Sequence, residues 1–269
     1  MSGIKKQRHK RSRIGILMVI ILAAGVYFIA GQYDGKPMDD NDSKQWEAYG
    51  AEKALIAYVK KNGLNMEEYP DALITMLKKN KEAKKFVFEY PKKKDRKFKM
   101  NLKKSLKNNS VPLFIQWDQR WGYSAYGKSL IGISGCGPTC LSMVAVYLLK
   151  DTSLNPKWMC QYSEKNGYYT PGQGTAWALM TDGARGIGLK STELPLDKQR
   201  IIDQLQMGNP IICSMGPGEF TSSGHYIILT DYEDNRLSIK DPNSLLRSGE
   251  KWKYEEIYTQ IKNLWVFQK

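Results

Sequence analysis

Apolar and polar positions follow a helical period in the first half of the chain. Residues 43–61 place apolar side chains on one helical face, and Gly63 follows where a helix stop is expected. A second helix is predicted over Tyr69–Lys79. A third helix is predicted to start near Lys81 and to end at Pro91, because proline interrupts a helix interior.

The pattern changes after Val111. Helices are predicted over residues 137–149, Thr175–Arg185 and Asp197–Met207. Strand-like runs follow at Pro210–Met215, Tyr226–Tyr232, Arg236–Asp241 and Leu264–Phe267, with a hairpin turn at Asp234–Asn235. Helices followed by adjacent antiparallel strands predict an α+β domain rather than a doubly wound sheet.

An uncharged run near the start predicts a membrane span. Residues 14–31 are apolar or small, and the polar Gln32 follows them directly. Their length is at the short end for a helix that crosses a bilayer. Residues 1–13 carry six Lys or Arg and no acid, whereas acids follow the run, so the positive-inside rule places the tail in the cytoplasm. We expect an uncleaved signal-anchor in the cell membrane, single-pass, with the rest extracytoplasmic. A cleaved signal peptide is the alternative.

The formal net charge of +14 is unevenly spread along the 269 residues. Residues 78–107 hold fourteen Lys or Arg against three acids. Nucleic-acid binding is the usual interpretation of such a charge, but no recognised nucleic-acid module accompanies it, so we expect no nucleic-acid partner. The lysine-rich segment is expected either to contact anionic lipid or a cell-wall polymer, or to be a solvated charged face. The predicted organisation is a basic tail (1–13), an anchor (14–31), a helical stalk or linker (32–107) and a folded domain (108–269).

The candidate chemistry lies in that last domain. The chain has two histidines, and only His225, at the head of an apolar strand, lies outside the basic tail. Cys136 opens an apolar helical run within Gly-Cys-Gly-Pro-Thr-Cys, and Asp241 follows the next strand. A cysteine, a histidine and an acid at the ends of elements indicate a Cys/His/Asp catalytic unit. Cys140, one helical turn further on, is the rival nucleophile.

The residue types suit thiol catalysis. A free thiol titrates near about 8.5, and a helix N-terminus together with an imidazolium stabilises the thiolate. His225 would exchange the proton, Asp241 would hold its tautomer, and the Cys136 backbone N–H would face a developing oxyanion, with Gln116 as a candidate side-chain donor. The domain has neither a Cys-x-x-Cys motif nor a second histidine, so we expect no zinc site. We expect no other cofactor either.

Four sequence blocks in this order carry a family resemblance: VPLFIQWDQRW, GISGCGPTCLSMV, PGQGTAWALM, and GHYIIL with KDPN. The chain resembles the C39-like branch of the papain-like cysteine peptidases over about residues 111–269. The resemblance implies a papain-like fold and a peptide or protein substrate. It assigns Cys136 as nucleophile, His225 as base, Asp241 as orienting acid and Gln116 as oxyanion donor, with Gln119 nearby. Residues 69–91 also resemble helical extensions found before such domains in Gram-positive bacteria.

The expected function is an anchored extracytoplasmic cysteine peptidase that acts through a thioester. The alternatives are a non-catalytic surface module that binds a peptide or the cell wall, and a thiol acyltransferase or transpeptidase. Residues 168–174 are expected to border the site. Five aromatic side chains either line the cleft or belong to the core: Trp117, Trp121, Tyr168, Tyr169 and Trp177.

Overall fold

The computed structural model describes residues 40–106 and 109–269, and a compact unit spans Ala48–Lys269. The helices of the described ranges are α1 (Asp40–Lys61), α2 (Asp71–Lys79), α3 (Lys84–Phe88), α4 (Tyr90–Lys93), α5 (Ile131–Ser134), α6 (Cys136–Leu149), α7 (Pro156–Lys165), α8 (Asp182–Gly186), α9 (Lys198–Gln206), α10 (Leu245–Gly249) and α11 (Tyr254–Ile257). Short 3-10 turns include Lys81–Ala83 and Trp177–Leu179.

The strands form one large antiparallel sheet and two short hairpins. The strands are β1 (Ala125–Tyr126), β2 (Ser129–Leu130), β3 (Tyr169–Thr170), β4 (Gly174–Thr175), β5 (Lys190–Glu193), β6 (Ile211–Met215), β7 (His225–Glu233), β8 (Arg236–Lys240), β9 (Lys251–Trp252) and β10 (Ile261–Gln268). The large sheet has the order β5-β10-β6-β7-β8-β9, and every neighbouring pair is antiparallel. The mixed, α+β character expected from the sequence is confirmed.

The centre of the large sheet is buried on both faces. All five residues of β6 are buried, as expected for a strand with an unbroken apolar sequence. Ile212 belongs to the cluster that contains the α6 residues Cys140 and Val144, whereas Ile211 clusters with Ile201 of α9. The edge strands are short, and β5 has the polar sequence Lys-Ser-Thr-Glu, which discourages pairing with other chains.

Local sequence signals explain several element ends. Asp234 and Asn235 both have positive φ, 51° and 60°, so the predicted hairpin turn between β7 and β8 is confirmed. Positive φ at both central residues is the requirement of a type I′ turn. The side chain of Asp197 accepts a hydrogen bond of 2.8 Å from the Arg200 N–H and thereby caps α9.

Two predicted helices differ from the structure. The predicted helix Thr175–Arg185 is wrong, because the segment divides into the end of β4, the turn Trp177–Leu179 and the short helix α8. Thr181, at φ −107° and ψ −83°, breaks the helical path between them. Pro91 does not end the third helix, since α3 stops at Phe88 and Pro91 lies in the first turn of α4, where its missing N–H costs nothing.

The helices before residue 107 pack against the later part of the same compact unit. The ring of Phe86 is buried and stacks on Tyr123 with 4.4 Å between centroids. A Cβ on Gly122 or Gly132 would lie 2.8 Å or 2.6 Å from that ring, so the absence of side chains there makes room for it. Residues 48–106 of the predicted stalk are therefore a packed layer, called the N-terminal helical layer below.

The predicted membrane span at residues 14–31 lies outside the described residues. Within residues 40–106 and 109–269, no helix combines the length and the apolar character needed to cross a bilayer.

Candidate active site

Cys136 is the first residue of α6, the helix that packs against β7. Backbone N–H groups at a helix start lack intrahelical acceptors, and together with the helix dipole they favour negative charge. Cys136 is partly exposed, whereas the other three thiols are buried. Burial raises the pKa of Cys140 well above its usual value, and its Sγ donates to the Tyr226 carbonyl at 3.4 Å. The rival cysteine is therefore enclosed in the core.

The two glycines that flank Cys136 are needed for packing within the chain. A Cβ on Gly135 would lie 2.6 Å from the Ile131 carbonyl oxygen, and one on Gly137 would lie 2.9 Å from the side chain of Thr175. Any side chain at either position would displace these neighbours. The glycines thus bring α5 and β4 close to the thiol.

His225 is the first residue of β7, and Asp241 directly follows β8. Strands β7 and β8 are antiparallel and Ile228 pairs with Lys240, so the start of β7 and the residue after β8 lie at the same end of the sheet. His225 Nε2 is hydrogen-bonded to Asp241 Oδ1 at 2.7 Å, and the side chain of Cys136 is near enough to the imidazole to help raise its pKa. The structure therefore brings all three predicted residues together.

Asp241 is fully buried and remains ionised because its oxygens are well supplied with donors. Oδ1 also accepts the Asn243 N–H at 2.7 Å, and Oδ2 accepts Nε of Arg247 at 2.6 Å. Burial acts to raise the pKa of Asp241, but His225 and Arg247 outweigh it, and the pKa is lowered.

The carboxylate in turn keeps His225 charged. Burial acts to lower the pKa of the imidazole, but the charge and hydrogen bond of Asp241 and the contact with Cys136 raise it to about 10. An imidazolium carries a proton on each nitrogen, so Nε2–H is directed to Asp241 and Nδ1–H is available to the sulfur. At neutral pH the site therefore presents an imidazolium beside the side chain of Cys136.

Gln116 lies next to this group with both amide hydrogens engaged. It is buried, and its Nε2 donates to the carbonyls of Gly132 at 2.9 Å and Ile133 at 3.3 Å, while Oε1 has no hydrogen-bond partner among the described residues. Its backbone N–H donates to Pro242, which follows Asp241. Gln119, the neighbouring glutamine, instead binds Glu89. Of the two glutamines, Gln116 is therefore the one bonded beside Asp241, and its amide would have to rotate before it could serve an oxyanion.

A cleft of about 370 Å³ lies beside the start of α6 and is lined by Thr170, Gln173, Thr175, Ala176 and Trp177. Trp177 forms an aromatic wall, since its side chain is 48% exposed and its Nε1 is anchored on Ser214 at 3.2 Å. Thr170 and Gln173, within the predicted loop, therefore border the cleft.

The other aromatic candidates have different surroundings. Trp121 is 1% exposed and belongs to the core. Trp117 donates through Nε1 to the backbone carbonyl of Asn243, two residues after Asp241. Tyr168 packs against the core and Tyr169 packs edge-on against Tyr126. Of the five, only Trp177 lines the cleft.

Sequence patterns missed the residues that hold Asp241. Arg247, Asn243 and Ser248 all bond to it, and Ser248 accepts the Asp241 N–H at 2.8 Å. Ser244 caps α10 by accepting the Arg247 N–H at 3.0 Å. Serine is a preferred helix N-cap residue, so Ser244 was the available sequence signal for this short helix.

A family profile matches the part of the chain that carries these residues. Residues 108–266 match the profile of the Peptidase_C39 like family. The peptidase domain of Streptococcus ComA, described as a bi-functional ABC transporter involved in a quorum-sensing pathway, is 21% identical and has a TM-score of 0.40, covering 50% of this chain and 90% of that domain. A putative C39-like peptidase from Bacillus anthracis is 13% identical, with a TM-score of 0.39, covering 60% of this chain and 96% of the other. No curated protein matches the chain significantly.

Proposed function

The chain belongs to the Peptidase_C39 like family, and on that premise we propose that it is a membrane-anchored, extracytoplasmic cysteine peptidase. It hydrolyses an amide bond of a peptide or protein through Cys136, His225 and Asp241. The observation that carries the proposal is the 2.7 Å bond from His225 to a buried Asp241, next to a cysteine at a helix start.

Acylation begins with the thiolate of Cys136. Its sulfur attacks the amide carbonyl carbon, and the carbonyl electrons move to oxygen, which faces the N-terminus of α6. The C–N bond then breaks as His225 Nδ1–H gives its proton to the leaving amine. The products of this half are a free amine, a thioester on Cys136 and a neutral imidazole.

Deacylation uses the imidazole in its neutral form. His225 Nδ1 takes a proton from water, and the hydroxide attacks the thioester carbonyl. The C–S bond breaks, the peptide leaves as a carboxylic acid, and Cys136 with His225 returns to the thiolate–imidazolium pair. Asp241 keeps its bond to Nε2 throughout, so Nδ1 alone exchanges the proton.

The location is supported by the sequence. Residues 14–31 form an uncharged run between a cationic tail and an acidic stretch, and this charge asymmetry supports a location of residues 32–269 outside the cytoplasm. A peptide or protein outside the cell is therefore the proposed substrate class. Anionic lipid or a cell-wall polymer is a further proposed contact of the lysine-rich segment 78–107.

The test is the pH dependence of iodoacetamide alkylation in the full chain, with peptide mapping of the four cysteines. We expect rapid modification of Cys136 below pH 7, and we expect His225→Ala to slow it by about 10²-fold or more. His9→Ala, which removes the other imidazole, is the matched control. If the alkylation of Cys136 instead follows an ordinary thiol titration with a midpoint at about pH 8.5, and His225→Ala does not change it, the proposal is refuted. The full chain is needed because residues 48–106 pack on the domain.

One observation favours a second candidate, a non-catalytic peptide-binding module. Both donor hydrogens of Gln116 are directed to backbone carbonyls, which leaves the helix N-terminus as the oxyanion donor in this conformation. A peptide library incubated in H₂¹⁸O distinguishes the functions by product mass. Label in new carboxylates indicates hydrolysis, unlabelled amide products indicate acyl transfer, and binding without products in wild type and Cys136→Ser alike indicates the module.

A further inference from the structure

Glu82 of the N-terminal helical layer binds the segment that follows Asp241. Its Oε1 accepts the Ser244 hydroxyl, and its Oε2 accepts the N–H groups of Leu245 at 2.7 Å and Leu246 at 3.2 Å. The carboxylate therefore lies at the N-terminus of α10 and satisfies donors that have no acceptor within the helix. More than 160 residues of chain separate these partners.

Asn80 makes a second connection to the same segment. Its Nδ2 donates to the backbone carbonyl of Asn243 at 2.7 Å and to Oδ1 of the same residue at 3.0 Å. The backbone N–H of Asn243 in turn donates to Asp241 Oδ1. Asn80 also accepts the Glu82 N–H at 3.0 Å, so the two side chains are positioned by one local turn.

The segment held by Asn80 and Glu82 supplies the donors of the buried acid. Arg247, on the helix that Glu82 caps, donates to Asp241 Oδ2 at 2.6 Å. Asn243, which Asn80 holds, donates to Oδ1, the oxygen that also accepts His225 Nε2. Displacement of this segment changes the charge and the position of the carboxylate that the imidazole faces.

We infer that Asn80 and Glu82, which precede the family-matched region 108–266, are positioning residues for the Asp241–His225 pair. This inference rests on the proposed function. It assigns the N-terminal layer a supporting role in catalysis, exerted through Asn243 and Arg247 rather than through contact with substrate. A chain in which either contact is broken keeps all the catalytic side chains but holds His225 less firmly in its charged state.

The test is the titration of His225 in the full chain with ¹³C-labelled histidine. The chain has two histidines, so two resonances are expected, and His225→Ala identifies the relevant one. Glu82→Gln removes the carboxylate, and Asn80→Ala breaks the second connection without changing net charge. We expect both variants to lower the pH at which His225 is half protonated. Each pH unit of that shift corresponds to about a tenfold decrease in the proton affinity of the imidazole. Alkylation of Cys136 below pH 7 should slow in parallel.

Glu52→Gln is the matched control, because it makes the same change in the N-terminal layer at a residue paired with Lys78. Its His225 midpoint should equal that of wild type. Suppose that wild type has a raised His225 midpoint and rapid alkylation of Cys136 below pH 7. If both Glu82→Gln and Asn80→Ala keep these two values, the inference is overturned and the proposed function remains intact. An ordinary midpoint near about 6.5 in wild type would overturn both.

Discussion

His225 and Asp241 are joined by a 2.7 Å hydrogen bond between Nε2 and Oδ1, which leaves Nδ1 as the imidazole nitrogen available to Cys136. The bond determines the orientation of the ring and, through the charge of the carboxylate, its protonation. Several expected outcomes depend on it.

Asp241→Asn should lower the pKa of His225, because the amide retains an acceptor oxygen but carries no charge to offset the burial of the imidazolium. We expect alkylation of Cys136 below pH 7 to be lost while alkylation above pH 8.5 remains. Asp231→Asn, the same change at an exposed residue of β7, is the control. Equal profiles for Asp241→Asn and wild type would show that the carboxylate charge is not required.

The stability supplied by His225 should depend on pH. Its pKa is about 10 in the folded chain and about 6.5 when unfolded, so its contribution is fully present below about pH 6.5 and is lost as pH rises to 10. The unfolding free energy of His225→Ala should therefore fall further below that of wild type at pH 6 than at pH 10. Urea titrations at the two pH values measure this, and an equal deficit at both would contradict the raised pKa.

Gln116→Leu tests whether the buried amide serves the oxyanion. Loss of one oxyanion donor lowers kcat by about 10²–10³-fold, whereas a purely structural amide affects the unfolding free energy and leaves kcat unchanged. We expect the loss of turnover. Gln119→Leu is the control, because that side chain faces Glu89 and should leave kcat as in wild type.

Trp177→Ala should weaken substrate binding more than chemistry. The indole is 48% exposed on the cleft wall and touches neither His225 nor Asp241 in any hydrogen bond, since its Nε1 is used by Ser214. We expect KM to rise while alkylation of Cys136 keeps its wild-type pH profile. If instead the pH profile of Cys136 alkylation changes while KM does not, Trp177 acts by positioning the residues of the site.

Phe86→Ala should destabilise the whole compact unit. Truncation of a buried Phe costs about 3–5 kcal/mol, and this ring is 1% exposed between the N-terminal helices and Tyr123. Thermal unfolding should remain a single transition at a lower temperature. Ile56→Ala, at an exposed position of α1, should leave the transition unchanged. A wild-type transition for Phe86→Ala would mean that the N-terminal layer does not support the fold.

Local patterns predicted much of the second half of the chain. The run that became β6 is apolar throughout, and Asp234–Asn235 tolerate the left-handed backbone that the hairpin needs, so strand and turn signals agreed. Cys136 and His225 were found because each lies at the start of a strongly patterned element. These signals are contained within a few neighbouring residues.

Contacts between distant segments left no comparable signal. The bond from Glu82 to Ser244 joins residues 162 apart, and an acidic residue before a helix looks the same whether it caps its own helix or another. The segment Thr175–Arg185 was misassigned for a related reason. Its apolar residues have helical spacing, but Thr175 and Trp177 are placed by Gly137 and Ser214, which are remote in sequence.

The packing of Phe86 against Gly132 links positions that would otherwise vary independently. A Cβ at Gly132 requires a smaller residue at 86, whereas Gly122 is also enclosed by the backbone of Trp117 and Asp118 and is needed with or without the N-terminal layer. Among homologues, glycine at 132 should therefore occur together with a large aromatic residue at 86. The same reasoning pairs an acid at 82 with a serine at 244, so covariation alone should distinguish relatives that carry this layer from those that do not.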